Sequence, residues 1–314
     1  AVSLALVIGM VAGLRVLFSL IDIDYQGYQR FIALDLSNPA AEYSVMNEGS
    51  PDPVRVRTGR RLEKILERGE LRACYFRDAL PLAFQNEAGR LVGYDIEMMH
   101  GLAQDLEVSV LFHRIERDEA ESYLADGRCD IVGSGVVLGM RRARTFLLSD
   151  SYLQVAVAFV MQDHRREEFE TWETLGERRD LTIGVGDAPH YVRRIRRRMP
   201  HAEIVTVNSS REFFAGKRPD LDALVVGAET GSAWTLVYPA FDVVVPKPGR
   251  ILVPVAYALP QGEESLADTV NTWIELARDD GTAEALFGHW ILGKDASAGE
   301  KRWSIIRDVL GWVD

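Results

Sequence analysis

Strand patterns and helix patterns alternate along most of this chain, which limits the folds it can adopt. The stretch "GYDIEMMHGLAQDLEV" at 93–108 spaces its apolar residues by three and four, and Asp95 is predicted to cap its first turn. A strand pattern at 107–115, a helix ending at Gly127 and the strand pattern "CDIVGSGVV" follow. Repeated β-α-β units predict a mostly parallel sheet with helices on both faces.

A second set of α/β elements follows the first. Four more strand patterns alternate with helix patterns, and Ser209 and Glu212 form a predicted capping box before one of the helices. Two α/β lobes of similar size account for both sets. The predicted first lobe comprises 59–152 plus 252–295, to which the last strand and helices return, and the predicted second lobe comprises 153–251.

Charge and composition exclude several functions. The chain has 314 residues and a formal net charge of -11, so most of its surface repels nucleic acid and anionic lipid. Its partners are therefore expected to be small molecules or proteins. The histidines show no ligand-like spacing, so neither a metal nor a cofactor is predicted. A disulfide between Cys74 and Cys129 stays open for an oxidising compartment, although buried free thiols are favoured.

The beginning of the chain predicts a membrane anchor. Residues 1–21 are almost entirely apolar and match the roughly 20 residues that a helix needs to cross a bilayer. Because no initiator methionine precedes it, we expect this helix to be truncated; a signal peptide is the alternative. Asp22 and Asp24 at its exit place the following part outside the cytoplasm. Residues 22–58 form a predicted linker and 296–314 a C-terminal tail.

Several stretches together resemble a known family. They are "ERGELRACYF", "LPLAFQNEAGRLVGYDIEMMHGLAQDL", "LADGRCDIVGSG", "RRARTFLLSDSY" and "ARDDGTAEALFGHW". In this order they resemble the extracellular solute-binding proteins of family 3, which serve polar amino acid transporters. The resemblance implies a periplasmic-binding-protein-like fold of type 2, in which two strands cross between two α/β lobes and the ligand lies between the lobes. The crossings would be Leu153 to Met161 and Ile251 to Leu259.

The resemblance gives the arginine cluster before "TFLLSDSY" a role. Arg142 falls where the family binds the carboxylate of its ligand, and a guanidinium holds a carboxylate through two parallel bonds. The alternative is a solvated helix start, which we expect for Arg141 and Arg144. Members of the family usually have a threonine at the position of Val137. Its replacement puts in doubt that this chain binds an α-amino acid in the way usual for the family. The amides from Gly135 to Val137 would still offer donors, and the extra positive charge suits a ligand with two carboxylates.

Further site residues come from both lobes. Glu229 is a candidate partner for the ligand amine, with helix capping as the alternative. The stretch "GVGDAPHY", which contains Asp187, runs from a strand into a helix and is suited to hold an anion. The aromatic wall would come from Tyr75, Phe76 or Phe84, each of which also fits a plain core position.

The predicted function is a membrane-tethered extracytoplasmic receptor that captures a small amino acid or dicarboxylate and passes it to a transporter. The hydrophobic helix, the proline-containing spacer and the ending "HWILG...RWSIIRDVLGW" also resemble polypeptides that join a cation:dicarboxylate or amino acid symporter to such a domain. The partner would then be a transporter domain upstream in the same polypeptide. Two alternatives stay open: an enzyme on the same fold, such as a dehydratase, and the sensing domain of a signalling receptor.

Overall fold

The computed structural model of the protein describes residues 31–38, 40–46, 60–77, 79–186, 189–207 and 209–292. Strands β1 to β13 are Tyr43–Val45, Glu70–Phe76, Phe84–Gln85, Leu91–Val92, Ser109–Ile115, Ile131–Val137, Leu147–Leu148, Leu153–Gln162, Thr182–Val185, Glu203–Thr206, Ala223–Gly227, Phe241–Val244 and Leu252–Leu259. Helices α1 to α9 are Arg61–Arg68, Tyr94–Asp105, Ala120–Asp126, Trp172–Glu177, Pro189–Arg198, Ser210–Phe214, Ala228–Val237, Glu264–Asp279 and Thr282–Trp290. Two 3-10 helices cover Arg142–Arg144 and Asp163–Phe169.

Two antiparallel strands, β8 and β13, join two groups of mostly parallel strands. The order is β1-β5-β2-β6-β13-β8-β11-β9-β10, with β12 beside β8 and β7 beside β13. We call β1, β5, β2 and β6 the first-lobe strands, and β11, β9, β10 and β12 the second-lobe strands. The fold is thus α/β and two-lobed, as predicted.

Each of the two joining strands pairs with both groups along its length. The first half of β8 pairs with β13, whereas its second half pairs with β11 and β12. Likewise, β13 begins beside β8 and ends beside β6 and β7. The predicted crossing strands are therefore present. The exact boundaries of the two lobes stay a prediction.

The core of the first lobe includes the last helices of the chain. Trp273 of α8 and Trp290 of α9 are buried and belong to the same hydrophobic core as residues of β2, β5 and β6. These helices thus return to the first lobe, as the sequence predicted. Two smaller clusters, one around Phe159 and Trp172 and one around Phe214, pack against the second-lobe strands.

Part of the predicted linker belongs to the fold. Phe31 is fully buried, and its ring lies 4.7 Å from the ring of Phe84 between centroids. Strand β1 extends the sheet by pairing in parallel with β5, with Tyr43 opposite Val110. The linker prediction is therefore wrong for these residues. The segment lacks a sustained period because only a few of its residues face the core.

The predicted membrane helix, the remaining linker and the C-terminal tail lie outside the described residues. Within the described part of the chain, no helix combines the length and the apolar character needed to cross a bilayer. One helix-start prediction is also wrong: Ser209 precedes α6, but its side chain makes no capping hydrogen bond.

The two cysteines form a disulfide. Cys74 lies in β2 and Cys129 directly before β6, with 5.8 Å between their Cα atoms. The preference for free thiols is therefore wrong, because β2 and β6 are neighbours in the sheet and Cys129 lies directly before β6. Such a bond suits an oxidising compartment.

We predict that replacing both cysteines, Cys74→Ala with Cys129→Ala, lowers the free energy of unfolding by about 4 kcal/mol, because the bond closes a loop across a sequence separation of 55. Urea unfolding of both proteins measures this difference. In addition, thiol titration of the unfolded wild-type protein without reductant should detect no thiol. Two reactive thiols per chain in that titration would contradict the assignment.

Candidate functional site

The carboxyl ends of three neighbouring parallel strands meet at one edge of the first lobe. Strand β2 lies between β5 and β6, and Phe76 at its end is opposite Ile115 at the end of β5. Strand β6 ends nearby at Val137. In open α/β sheets, ligands bind outside the carboxyl ends of the strands. This edge is therefore the candidate site.

Arg142 is held at this edge by the end of β6. It begins a 3-10 helix, is half-buried, and its Nη1 donates a hydrogen bond to the carbonyl oxygen of Val137 at 3.0 Å. Arg141 and Arg144, in contrast, are exposed, as the sequence predicted. Of the three clustered arginines, Arg142 is thus the one whose guanidinium folds back onto the strand end. The direct role of Val137 here is to anchor that guanidinium through its backbone.

A second arginine at the same edge was missed by the sequence analysis. The guanidinium carbon of Arg117, two residues after β5, lies 4.5 Å from the centroid of the Phe76 ring. The residue is exposed to solvent. Desolvation first, and then repulsion from Arg142, lowers the pKa of Arg117 to about 10. The only signal in the sequence was a charged residue just beyond a strand end.

The buried carboxylate of Asp95 holds the backbone beneath this edge. Its Oδ2 accepts hydrogen bonds from the amides of Ser134 and Gly135 and, at 2.7 Å, from the hydroxyl of Tyr152. Burial raises the pKa of Asp95 to about 7, while these hydrogen bonds act in the opposite direction. Asp95 therefore braces β6 rather than capping α2, which starts after Gly93.

This bracing corrects the predicted role of Gly135. Its amide, expected to meet the ligand, donates to Asp95 at 3.2 Å. The backbone at Ser134 and Gly135 has φ values of 67° and 80°, which turns both amides toward Asp95. A side chain at Gly135 would also approach Leu82 to 2.9 Å. Gly135 thus shapes the end of β6.

The three predicted aromatic residues have different surroundings. Phe76 lies under the Arg117 guanidinium. Tyr75 is buried in β2, and desolvation raises its pKa. Phe84 packs between the rings of Phe31 and Trp290, which agrees with the alternative of a core position, and its role as a ligand wall stays a prediction. Phe84 lies on the short β3–β4 hairpin. The apolar pattern of the sequence does not show whether a residue of this hairpin faces the core or the cleft.

Leu80, a residue that the sequence analysis did not single out, connects the two lobes. It is partly buried and packs both against the first-lobe core and against the second-lobe cluster around Phe214. Because Leu80 follows β2 closely, it lies in the loop that leaves the carboxyl edge of the sheet. Leu80 is therefore an apolar contact between the lobes next to the candidate site.

Glu229 lies in the second lobe, beside a crossing strand. It is in the first turn of α7, only 7% exposed, and accepts a hydrogen bond from the backbone of Ala156 in β8. Its Oε2 meets no hydrogen-bond donor among the described residues. Burial raises the pKa of Glu229 to about 7. The other second-lobe candidate, Asp187, lies outside the described residues.

Comparison with known proteins relates this chain to one family. The profile of the bacterial extracellular solute-binding proteins, family 3, matches residues 71–293. The L-cystine-binding protein TcyJ of Escherichia coli is 25% identical over 231 residues, which cover 73% of this chain and 85% of the relative. Cyclohexadienyl dehydratase of Pseudomonas aeruginosa is 24% identical over 235 residues, covering 74% and 86%.

Among solved structures, AncCDT-1, an ancestral amino acid-binding protein described as a precursor of cyclohexadienyl dehydratase, superimposes with a TM-score of 0.62. It is 26% identical and covers 73% of this chain and 98% of its own. An ancestral arginine-binding protein bound to glutamine has a TM-score of 0.61 and 23% identity, covering 71% and 97%, which supports the fold alone.

We predict that wild-type stability falls as pH rises from about 5 to about 8, because the folded-state pKa of Glu229 is raised and the folded protein favours the protonated acid. Glu229→Gln removes this proton, so its free energy of unfolding should fall less steeply, by up to about 1.4 kcal/mol per pH unit. Asp95 contributes a slope of the same sign in both proteins. Urea unfolding across this pH range measures the slopes.

The matched control is Glu275→Gln, which removes an exposed carboxylate from α8. It should keep the wild-type slope. If Glu229→Gln and wild type have equal slopes, the raised pKa of Glu229 is contradicted.

Proposed function

This chain belongs to the bacterial extracellular solute-binding proteins, family 3, and from that membership we propose that it captures a small carboxylate ligand, an amino acid or a dicarboxylate, for transport. The ligand would bind at the carboxyl edge of β2, β5 and β6. Closure of the second lobe about the crossing strands β8 and β13 would then enclose it.

One observation carries this proposal: the Arg142 guanidinium is held at the carboxyl edge of the sheet by the Val137 carbonyl oxygen. The bond to the backbone orients the group, and the planar guanidinium suits a carboxylate with two parallel acceptors. A guanidinium also stays charged at every physiological pH. Arg142 thus provides a permanent, oriented site for an anion.

The comparisons support an amino acid ligand in general terms. One relative is named for L-cystine binding, and AncCDT-1 is named as an amino acid-binding protein. This chain carries Val137, which has no hydroxyl to meet a carboxylate, and its Gly135 amide is used by Asp95. Binding of the carboxylate would therefore depend more heavily on charge, which favours a ligand with a second acidic group.

The place of the protein in the cell follows from the family and from the sequence. An extracytoplasmic location agrees with the family description and with the disulfide. We further propose the tether at residues 1–21 and a transporter domain upstream as the partner. The net charge of -11 argues against nucleic acid as a partner.

A second candidate function is dehydration of a small carboxylate, favoured by Glu229. A buried carboxyl group with a pKa near 7 and an oxygen without a donor is suited to general acid catalysis. One relative is named as a cyclohexadienyl dehydratase, at 24% identity. In this alternative, Arg142 would orient the substrate carboxylate and Glu229 would protonate the hydroxyl group, whose C–O bond breaks so that it departs as water. The ring would lose a proton from carbon to solvent as the new double bond forms.

We predict that Arg142→Ala lowers the affinity for the bound carboxylate by at least about 100-fold, because two charge-assisted hydrogen bonds are lost. A thermal-shift screen of the full chain with L-glutamate, L-aspartate, succinate, L-glutamine and L-arginine selects the ligand, and calorimetry measures its affinity. Arg144→Ala is the matched control, since it removes the same charge from an exposed position of the same 3-10 helix. Equal affinities of wild type and Arg142→Ala would overturn the site.

The dehydratase alternative makes a separate prediction. Incubation of the full chain with a hydroxylated cyclohexadienyl carboxylate should yield a product lighter by one water, detected by mass spectrometry. Glu229→Gln should abolish this product while leaving substrate binding within about threefold of the wild-type affinity, because an amide keeps the shape of the side chain but cannot donate the same proton. Equal product formation by wild type and Glu229→Gln would exclude Glu229 as the acid.

A further inference from the structure

We propose that Arg117 is a second carboxylate-binding residue of the cleft and that, together with Arg142, it selects ligands that carry two carboxylates. This inference rests on the proposed function and names the class of ligand. It makes the two arginines a pair on either side of β2, one for each acidic group.

The order of the strands places the two guanidiniums around Phe76. Arg117 follows β5, Arg142 follows β6, and β2 lies between these strands. Neighbouring strands are about 4.8 Å apart, so the two strand ends are separated by about 10 Å. Two flexible arginine side chains that start near these strand ends are long enough to extend toward each other. The two arginines thus place two interacting positive charges at one edge of the sheet, as a short ligand with a carboxylate at each end requires.

The ring of Phe76 positions one member of the pair. The Arg117 guanidinium lies over this ring at 4.5 Å, while Arg142 is fixed by the Val137 carbonyl oxygen. Stacking occupies the face of a guanidinium and leaves its N–H edges for hydrogen bonds. Both groups are thus oriented before a ligand arrives, one by an aromatic face and the other by a backbone carbonyl. Such preorganisation reduces the entropy lost on binding.

Like charges interact at this edge of the sheet. Arg117 and Arg142 repel each other, and this repulsion, after desolvation, contributes to the lowered pKa of Arg117. Glu116 beside Arg117 attracts it and offsets part of the repulsion. A dianionic ligand would remove the remainder, since it brings one negative charge for each guanidinium. A neutral amino acid, with a single carboxylate, supplies a negative charge to only one of the two guanidiniums.

The test compares L-glutamate with L-glutamine, which differ by the second carboxylate, by calorimetry on the full chain. Wild type should bind glutamate more tightly. Arg117→Gln should lower glutamate affinity by about 10- to 100-fold, the loss of one charge-assisted contact, and change glutamine affinity by less than about threefold. Arg117→Lys, which keeps the charge but loses the planar stack, should recover only part of the affinity. Arg144→Gln is the charge-matched control and should leave the preference unchanged.

The outcomes separate this inference from the proposed function. Suppose that Arg142→Ala abolishes binding, but that Arg117→Gln lowers the affinities for glutamate and glutamine equally or changes neither affinity. The proposed arginine pair is then overturned, and the proposed receptor function stands. Preference of wild type for glutamine over glutamate also overturns the pair. If no compound of the panel binds to wild type, both proposals fail. Circular dichroism and urea unfolding of each variant verify that a lost preference does not result from lost folding.

Discussion

The buried carboxylate of Asp95 is the interaction on which the site depends most. Three donors converge on its Oδ2: two consecutive amides of β6 and the hydroxyl of Tyr152 directly before β8. Tyr152 in turn stacks on Tyr257 of β13 at 4.0 Å. A single side chain thus ties the end of a first-lobe strand to both crossing strands. Because a buried acceptor without donors is costly, this geometry tolerates little change.

The hydrogen bonds of Asp95 determine which groups the candidate site offers to a ligand. Since Asp95 occupies the amides of Ser134 and Gly135, the end of β6 offers side chains, more than backbone donors, to the cleft. In the proposed function, recognition of an anion then depends on the guanidiniums of Arg117 and Arg142. The same edge is lined by Phe76 and adjoined by Leu80, which touches both lobes. This edge thus combines cationic side chains with an apolar contact between the lobes. Such a combination suits a small ligand that is enclosed when the lobes close.

Much of the fold was accessible from the sequence because its signals are local. Periodicity predicted the β-α-β units, and the crossing strands were located to within one residue at each end. Arg142 was found because its motif is contiguous. In contrast, Arg117 and Leu80 lie in stretches without a recognisable motif. For Phe84, the sequence does not show which way the β3–β4 hairpin directs the aromatic ring. Strand β1 was missed because three residues carry too little periodic signal.

The sequence by itself determined the two-lobed α/β architecture, the crossing strands and the candidate cation at position 142, since each depends on residues close together in the chain. Only the tertiary structure decided that Cys74 bonds to Cys129, that Asp95 takes the amides of β6, and that Arg117 stacks on Phe76 near Arg142. The residues of each contact are separated by 25 or more positions in the chain. The register of neighbouring strands brings them together, and register depends on packing across the whole sheet.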